Sequence, residues 1–105
     1  MYKRQQVDGP GVARGANADP GVKPGNVVLR YSDERLTRDL QVLAARIAGE
    51  PSPALVAAGQ AVLVQREPNL RVPVVALTAT RRLQAGGPRD PALRSFVEYW
   101  LGRAG

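Results

Sequence analysis

The sequence predicts an α/β protein, a βαβββα layered sandwich with helices packed on a four-stranded mixed sheet. Three observations lead there. The run Val27–Tyr31 is nearly continuous in β-formers, as in a strand covered on both faces; Ala61–Gln65 reads as a second buried strand, and Val74–Thr78 as a third, opened by Pro73 as an edge-accessible strand would be. The segments Leu36–Ile47 and Leu93–Leu101 carry apolar residues at helical spacing. From Ile47 onward Gly and Pro separate each of these segments from the next, and Ser32-Asp33-Glu34-Arg35 lies between the first two.

Taken in order, Gly25 and Asn26 open the first strand, Val27–Tyr31. Ser32 is expected to cap the following helix, with Asp33 and Glu34 in its first turn, where carboxylates meet the positive end of the helix dipole. Leu36, Leu40, Leu43, Ala44 and Ile47 make one apolar stripe, while Arg35, Arg38, Asp39, Gln41 and Arg46 lie off it. Gly49 ends the helix and Pro51 prevents its resumption. Ser52–Gly59 is a loop with room for one helical turn at Ala54–Ala58. Ala61–Gln65 then reads as a second buried strand, and the strand–helix–strand unit as a right-handed crossover with parallel strands.

Arg66 to Pro73 is a turn-rich link punctuated by Glu67-Pro68-Asn69. Val74–Thr78 is the third strand and Arg82–Gln84 a short fourth, paired across a tight bend at Ala79–Arg81 and closed by Gly86-Gly87-Pro88. Asp90 followed by Pro91 is a preferred helix start. Leu93, Phe96, Val97, Trp100 and Leu101 make the sharpest amphipathic pattern in the chain, and Gly102 closes it. Trp100 and Phe96 are read as core.

Residues 26–105 are therefore one α/β domain, and residues 1–25 are expected to be disordered and to add nothing to stability. Gly9-Pro10-Gly11, Asp19-Pro20-Gly21 and Pro24-Gly25 interrupt that leader, and its isolated Val residues follow no period. Met1-Tyr2-Lys3-Arg4-Gln5, read back as GTG-TAT-AAG-AGA-CAG, matches the end of a transposase adapter used in sequencing libraries. Residues 1–5 are accordingly read as foreign to the gene, which is then expected to be truncated upstream.

Composition excludes much chemistry. The chain has no Cys and no His, which removes disulfides, thiol nucleophiles, thiolate metal sites, imidazole bases and His-ligated metals. Catalysis would have to use carboxylates, hydroxyls or Arg, and no motif with a defined mechanism is present. No cofactor or metal site is expected. No apolar run approaches the ~20 residues that span a bilayer, and residues 1–25 lack the apolar core of a signal peptide.

Net charge is +6, and 13 of the 15 cationic residues are Arg. The charge suits a polyanion, but a GC-rich genome also favours Arg over Lys, and the Arg residues are spread along the chain. Aromatics are too few for base-stacking platforms, so binding to nucleic acid is expected to be weak and not sequence-selective. Arg81-Arg82 with Arg89 and Arg94 could make a basic patch on the hairpin side; without aromatic partners a solvated face is expected there.

The element order resembles the thioredoxin-like fold, in which a parallel βαβ unit is followed by an antiparallel hairpin and a last helix. In that layout a cis-Pro opens the hairpin strand, the place held here by Pro73 before Val74. The redox motif of that fold falls where this chain has Ser32-Asp33-Glu34-Arg35, without Cys. The resemblance thus implies the layout and argues against thiol redox activity.

The sequence also resembles a bacterial family, common in actinobacteria, named domain of unknown function 3105. Three stretches carry the resemblance: Gly25-Asn26-Val27-Val28-Leu29-Arg30-Tyr31, then Pro68-Asn69-Leu70-Arg71-Val72-Pro73-Val74-Val75-Ala76-Leu77-Thr78-Ala79, then Asp90-Pro91-Ala92-Leu93-Arg94-Ser95-Phe96-Val97 with Gly102-Arg103. The family's usual His before the first strand is replaced by Lys23-Pro24, its upstream His segment is absent, and its usual Trp-Gly pair is Thr80-Arg81 here. The resemblance implies an extracytoplasmic protein behind an N-terminal anchor. It implies no activity.

Ligands of open α/β sheets favour the carboxyl ends of parallel strands. That edge collects Ser32, Asp33, Glu34 and Arg35 after the first strand, and Arg66, Glu67 and Asn69 after the second. These seven residues are the candidate polar or anionic pocket, with Asp33 and Glu67 as a conceivable carboxylate pair. Helix capping alone explains Ser32, Asp33 and Glu34, and is the preferred reading. The sequence as a whole points to a non-catalytic accessory or interaction domain, whose partner, a protein or a weakly bound polyanion, it does not name. A weak polyanion binder and a thioredoxin-fold protein without its thiols are the alternatives.

Overall fold

The computed structural model describes residues 12–13 and 21–103. The expectations for residues 1–5, and for the leader at 1–11 and 14–20, lie outside the described residues. Val12–Ala13 (β1) is a two-residue strand within that leader. The packed part of the chain also begins before residue 26. Val22 is buried with Val28, Val75 and Leu77 against the sheet, because that sheet face is apolar and a Val side chain is within reach to cover it.

The remaining strands are Val27–Tyr31 (β2), Val62–Arg66 (β3), Val74–Leu77 (β4) and Arg81–Ala85 (β5). The helices are Thr37–Ala48 (α1), Pro53–Ala58 (α2) and Pro91–Trp100 (α3). The protein is an α/β sandwich on a four-stranded mixed sheet, to which β1 adds a short fifth strand in the order β1-β5-β4-β2-β3. β2 and β3 are parallel, with Val27 opposite Val62 and Tyr31 opposite Arg66. β4 runs antiparallel to β2, with Leu29 opposite Ala76, and β5 antiparallel to β4.

Strand alternation divides the core in two. Val27, Leu29, Tyr31, Val62, Val74 and Ala76 face α1 and α3, where they meet Leu40, Ala44, Leu93, Phe96, Val97 and Trp100. Phe96 is fully buried at the centre of this layer; cutting such a ring to Ala typically costs about 3–5 kcal/mol. The opposite face carries Val28, Val75 and Leu77, with Leu63, Leu70 and Val72 packed beside them. Both central strands, β2 and β4, are thus covered on two sides, as their unbroken apolar runs require.

Three sequence expectations change. β3 is an edge strand, exposed toward Gln65 and Arg66, and not a second interior one. Its run is apolar because even residues face α1 while Leu63 joins the second layer. Ser32 does not cap α1. The Asp33 carboxylate accepts from the Arg35 backbone N–H at 2.9 Å and starts a 3-10 turn at Glu34–Leu36, which runs into α1 without a side-chain cap. Thr78 leaves the strand to make the hairpin turn: its Oγ1 accepts from the backbone N–H of Thr80 at 3.2 Å and of Arg81 at 2.8 Å. No peptide bond among the described residues is cis; Val72–Pro73 is trans and so departs from the cis-Pro of the thioredoxin-like layout. Pro73 nevertheless sits directly before β4, where its missing N–H leaves no gap in the ladder.

One junction ties the chain's distant parts together. Asn26 is buried; its amide donates to the Val56 carbonyl at 3.2 Å and accepts from Ala61 N–H at 2.9 Å. Next to it, Gly25 (φ +98°) packs against Gly59, and a Cβ on Gly25 would lie 2.2 Å from the Gly59 carbonyl oxygen. The Gly25 carbonyl also accepts from Gly102 N–H at 2.8 Å, just beyond α3.

Candidate functional site

The carboxyl ends of β2 and β3 do come together. Glu67 N–H donates to the Tyr31 carbonyl at 2.6 Å, and the Arg66 Nε donates to the Ser32 carbonyl at 3.1 Å. Asp33 is chelated by its neighbour. The Arg35 Nε reaches both carboxylate oxygens at 3.1 Å and a terminal nitrogen reaches one at 2.8 Å. These hydrogen bonds, the Arg35 backbone N–H and the charges of Arg35 and Arg66 outweigh slight desolvation and hold the Asp33 carboxyl at about 2.

The structure therefore joins Ser32, Asp33, Arg35, Arg66 and Glu67 through backbone and ion-pair contacts. Glu34 and Asn69 stand exposed at the margin. What this edge can do chemically is narrow. A carboxylate held near 2 is a poor proton acceptor at neutral pH, and it is engaged by an Arg on its own turn. Asp33 works here as the N-cap of the 3-10 turn and as the ion-pair partner of Arg35, whereas the sequence predicts the cap at Ser32 and a first-turn place for Asp33. Among the described residues, no three carboxylates cluster closely enough to hold a metal ion.

Of the candidate basic patch, Arg89 is exposed in the loop before α3, and Arg81 and Arg82 are not brought together. Alternation along β5 sends Arg81 to the helix side, where its guanidinium lies over the Trp100 ring, and Arg82 to the other face. Arg94 is taken up by Glu98 one turn along α3, with Nε to Oε2 at 3.0 Å.

A different surface stands out. A groove of about 580 Å³ runs between α1 and the outer edge of β3, lined by Arg38, Gln41, Val42, Glu50, Leu63 and Val64 among others. Its floor is mostly aliphatic. Val42, at 41% exposure, is an exposed large apolar side chain, and it points into this groove. A smaller hollow of about 340 Å³ lies on the opposite sheet face, bounded by Val22, Lys23, Asn26, Arg30 and Gln65. Sequence reading missed the groove because its strand was placed inside the sheet. The available signal was Val42, an apolar residue off the Leu36–Ile47 stripe of α1.

Among the described residues no helix is long and apolar enough to cross a membrane. Comparison with protein-family models, with curated proteins and with solved structures gives no match.

Proposed function

We propose that this chain is a non-catalytic interaction domain whose working surface is the groove between α1 and the open edge of β3. The carrying observation is the coincidence there of an aliphatic concavity, the exposed Val42 and a strand edge unpaired among the described residues. Edges of this kind accept extended chains through main-chain hydrogen bonds, with side-chain pockets alongside for selectivity. The motif runs resembling domain of unknown function 3105 are compatible with such an accessory role, and membership of that family is part of the proposal. So is a thioredoxin-like ancestry, supported by β4 running antiparallel to β2 and weakened by the trans Val72–Pro73 bond.

A photo-crosslinking residue in place of Val42, introduced in the cells that encode the gene, tests the reading. The expected result is an adduct with one identifiable protein that is missing when the crosslinker replaces Arg94 on exposed α3. Equal, unselective labelling from both positions would sink the reading.

Weak polyanion binding is the second reading, and the net charge of +6 favours it. The separation of Arg81 from Arg82 and the Arg94–Glu98 pair count against a continuous basic face. Titration with duplex and single-stranded oligonucleotides should give weak binding that added salt abolishes. Tight, salt-resistant binding would overturn this account of the charge.

A further inference from the structure

We propose that the occupant of the groove is a second copy of this chain, docked about a two-fold axis that passes beside Val64 and pairs the two β3 edges antiparallel. The inference rests on the interaction-domain reading and names its partner.

The ladder fixes which groups β3 offers. Val27 N–H donates to Ala61 O, and Glu67 N–H donates to Tyr31 O. In a parallel pair these ends mean that residues 61, 63, 65 and 67 bond to β2, while Val62, Val64 and Arg66 turn their N–H and C=O outward. Val62 is fully covered, so the accessible outward groups are those of Val64 and Arg66. Two β3 edges brought together antiparallel and centred on Val64 exchange a closely spaced pair of hydrogen bonds, Val64 with Val64. Leu63 then stands opposite Gln65 of the second copy.

The helix side of the groove is self-complementary about the same axis. Arg38 lies at one end, Glu50 at the other, and Val42 and Ala45 between them. An isologous two-fold contact makes residue i meet j and j meet i. Because α1 runs antiparallel to β3 in the crossover, reversing β3 also reverses α1. Arg38 is thereby brought toward Glu50 of the second copy, Glu50 toward Arg38, and Val42 toward Val42. Neither Arg38 nor Glu50 has an ion pair within the chain among the described residues. A single hydrogen-bond pair, a small apolar centre and two rim ion pairs make a small interface, so dimerisation is weak and concentration-dependent.

The test is sedimentation velocity of the full chain over a concentration series reaching the millimolar range. Wild type should pass from monomer to dimer. Arg38→Glu and Glu50→Arg, both at exposed positions, should each weaken dimerisation by roughly tenfold or more through like-charge contact. Mixed in equal amounts, the two variants should form a heterodimer of about wild-type strength, since one chain then offers two negative ends and the other two positive ends. That rescue also shows that both variants are folded. Val42→Lys should weaken the dimer with its thermal midpoint unchanged. A wild type that stays monomeric, or a dimer indifferent to both charge reversals, overturns the inference. In that event an adduct with a different protein at Val42 still upholds the interaction reading, and no selective adduct removes both.

Discussion

The guanidinium carbon of Arg81 stands 4.7 Å from the centre of the Trp100 ring, placing a cation on the apolar layer between the sheet and α3. Tyr99 meets the same indole edge-on, with ring centres 4.8 Å apart. The Arg81 Nε is buried with no hydrogen-bond partner and the guanidinium makes one side-chain hydrogen bond, from a terminal nitrogen to the Thr80 carbonyl at 3.2 Å, so stacking and stem packing carry most of the residue's contribution.

Arg81→Ala should therefore cost about 1–2 kcal/mol through lost stacking and stem packing. Arg81→Met, which keeps the stem and removes the unpartnered nitrogen, should cost less. Trp100 is the chain's single Trp, so its fluorescence reports both the local change and the unfolding midpoint. Equal destabilisation by the two variants would show that the charge, not the stem, matters.

Gly25→Ala should be among the most damaging small changes in the chain. The new methyl would meet the Gly59 backbone at 2.2 Å, and a φ of +98° disfavours any L side chain. A loss of more than about 2 kcal/mol is expected in urea unfolding. Gly87→Ala, with open space around its Cα, is the control and should be nearly silent.

Asp33 gives an acid limb with a defined sign. Its folded-state value is about 2 against an ordinary 3.8, so the folded form favours the ionised carboxylate. The stabilisation is complete above the ordinary value and is lost as pH falls toward about 2. Asp90, lowered by backbone N–H groups of Gly86 and Ala92, acts in the same direction. Asp33→Asn should lower stability at neutral pH and flatten its fall between pH 3.8 and about 2. An unchanged slope would mean that exposure and solvent screening leave the chelate without effect on folding.

Val22 separates a packed residue from its leader. The sequence assigns residues 1–25 no part in stability, yet Val22 is 7% exposed and closes the second apolar layer over Val28, Val75 and Leu77. Val22→Ser should lower the thermal midpoint by roughly 4–8 °C, the shift expected from about 1 kcal/mol in a domain of this size. No shift would return residue 22 to the leader.

Legibility followed the physics of covering. β2, β4 and α3 could be read because one requirement, burial on two faces or along one stripe, wrote their pattern without competition. β3 misled because an edge strand roofed by α1 on one face and joined to Leu63's layer on the other is as apolar as an interior one. At the candidate pocket, residue types predicted proximity but not engagement. Ser32 and Arg66 meet through a backbone carbonyl, and Asp33 turns to Arg35, two residues on. The groove needed the strand order, which no local pattern of residues 62–66 contains.

The meeting of Gly25, Gly59 and Gly102 bears on the order of folding. It joins the entry to β2, the exit from α2 and the end of α3, segments far apart along the chain. Such a junction cannot form until the crossover has closed and α3 has docked, because each earlier closure carries its own loop entropy. It therefore acts as a late latch: damage there speeds unfolding and leaves the folding rate nearly unchanged, whereas damage to the β2–β4 pairing slows folding. The lifetime of the folded state is therefore sensitive to this glycine junction.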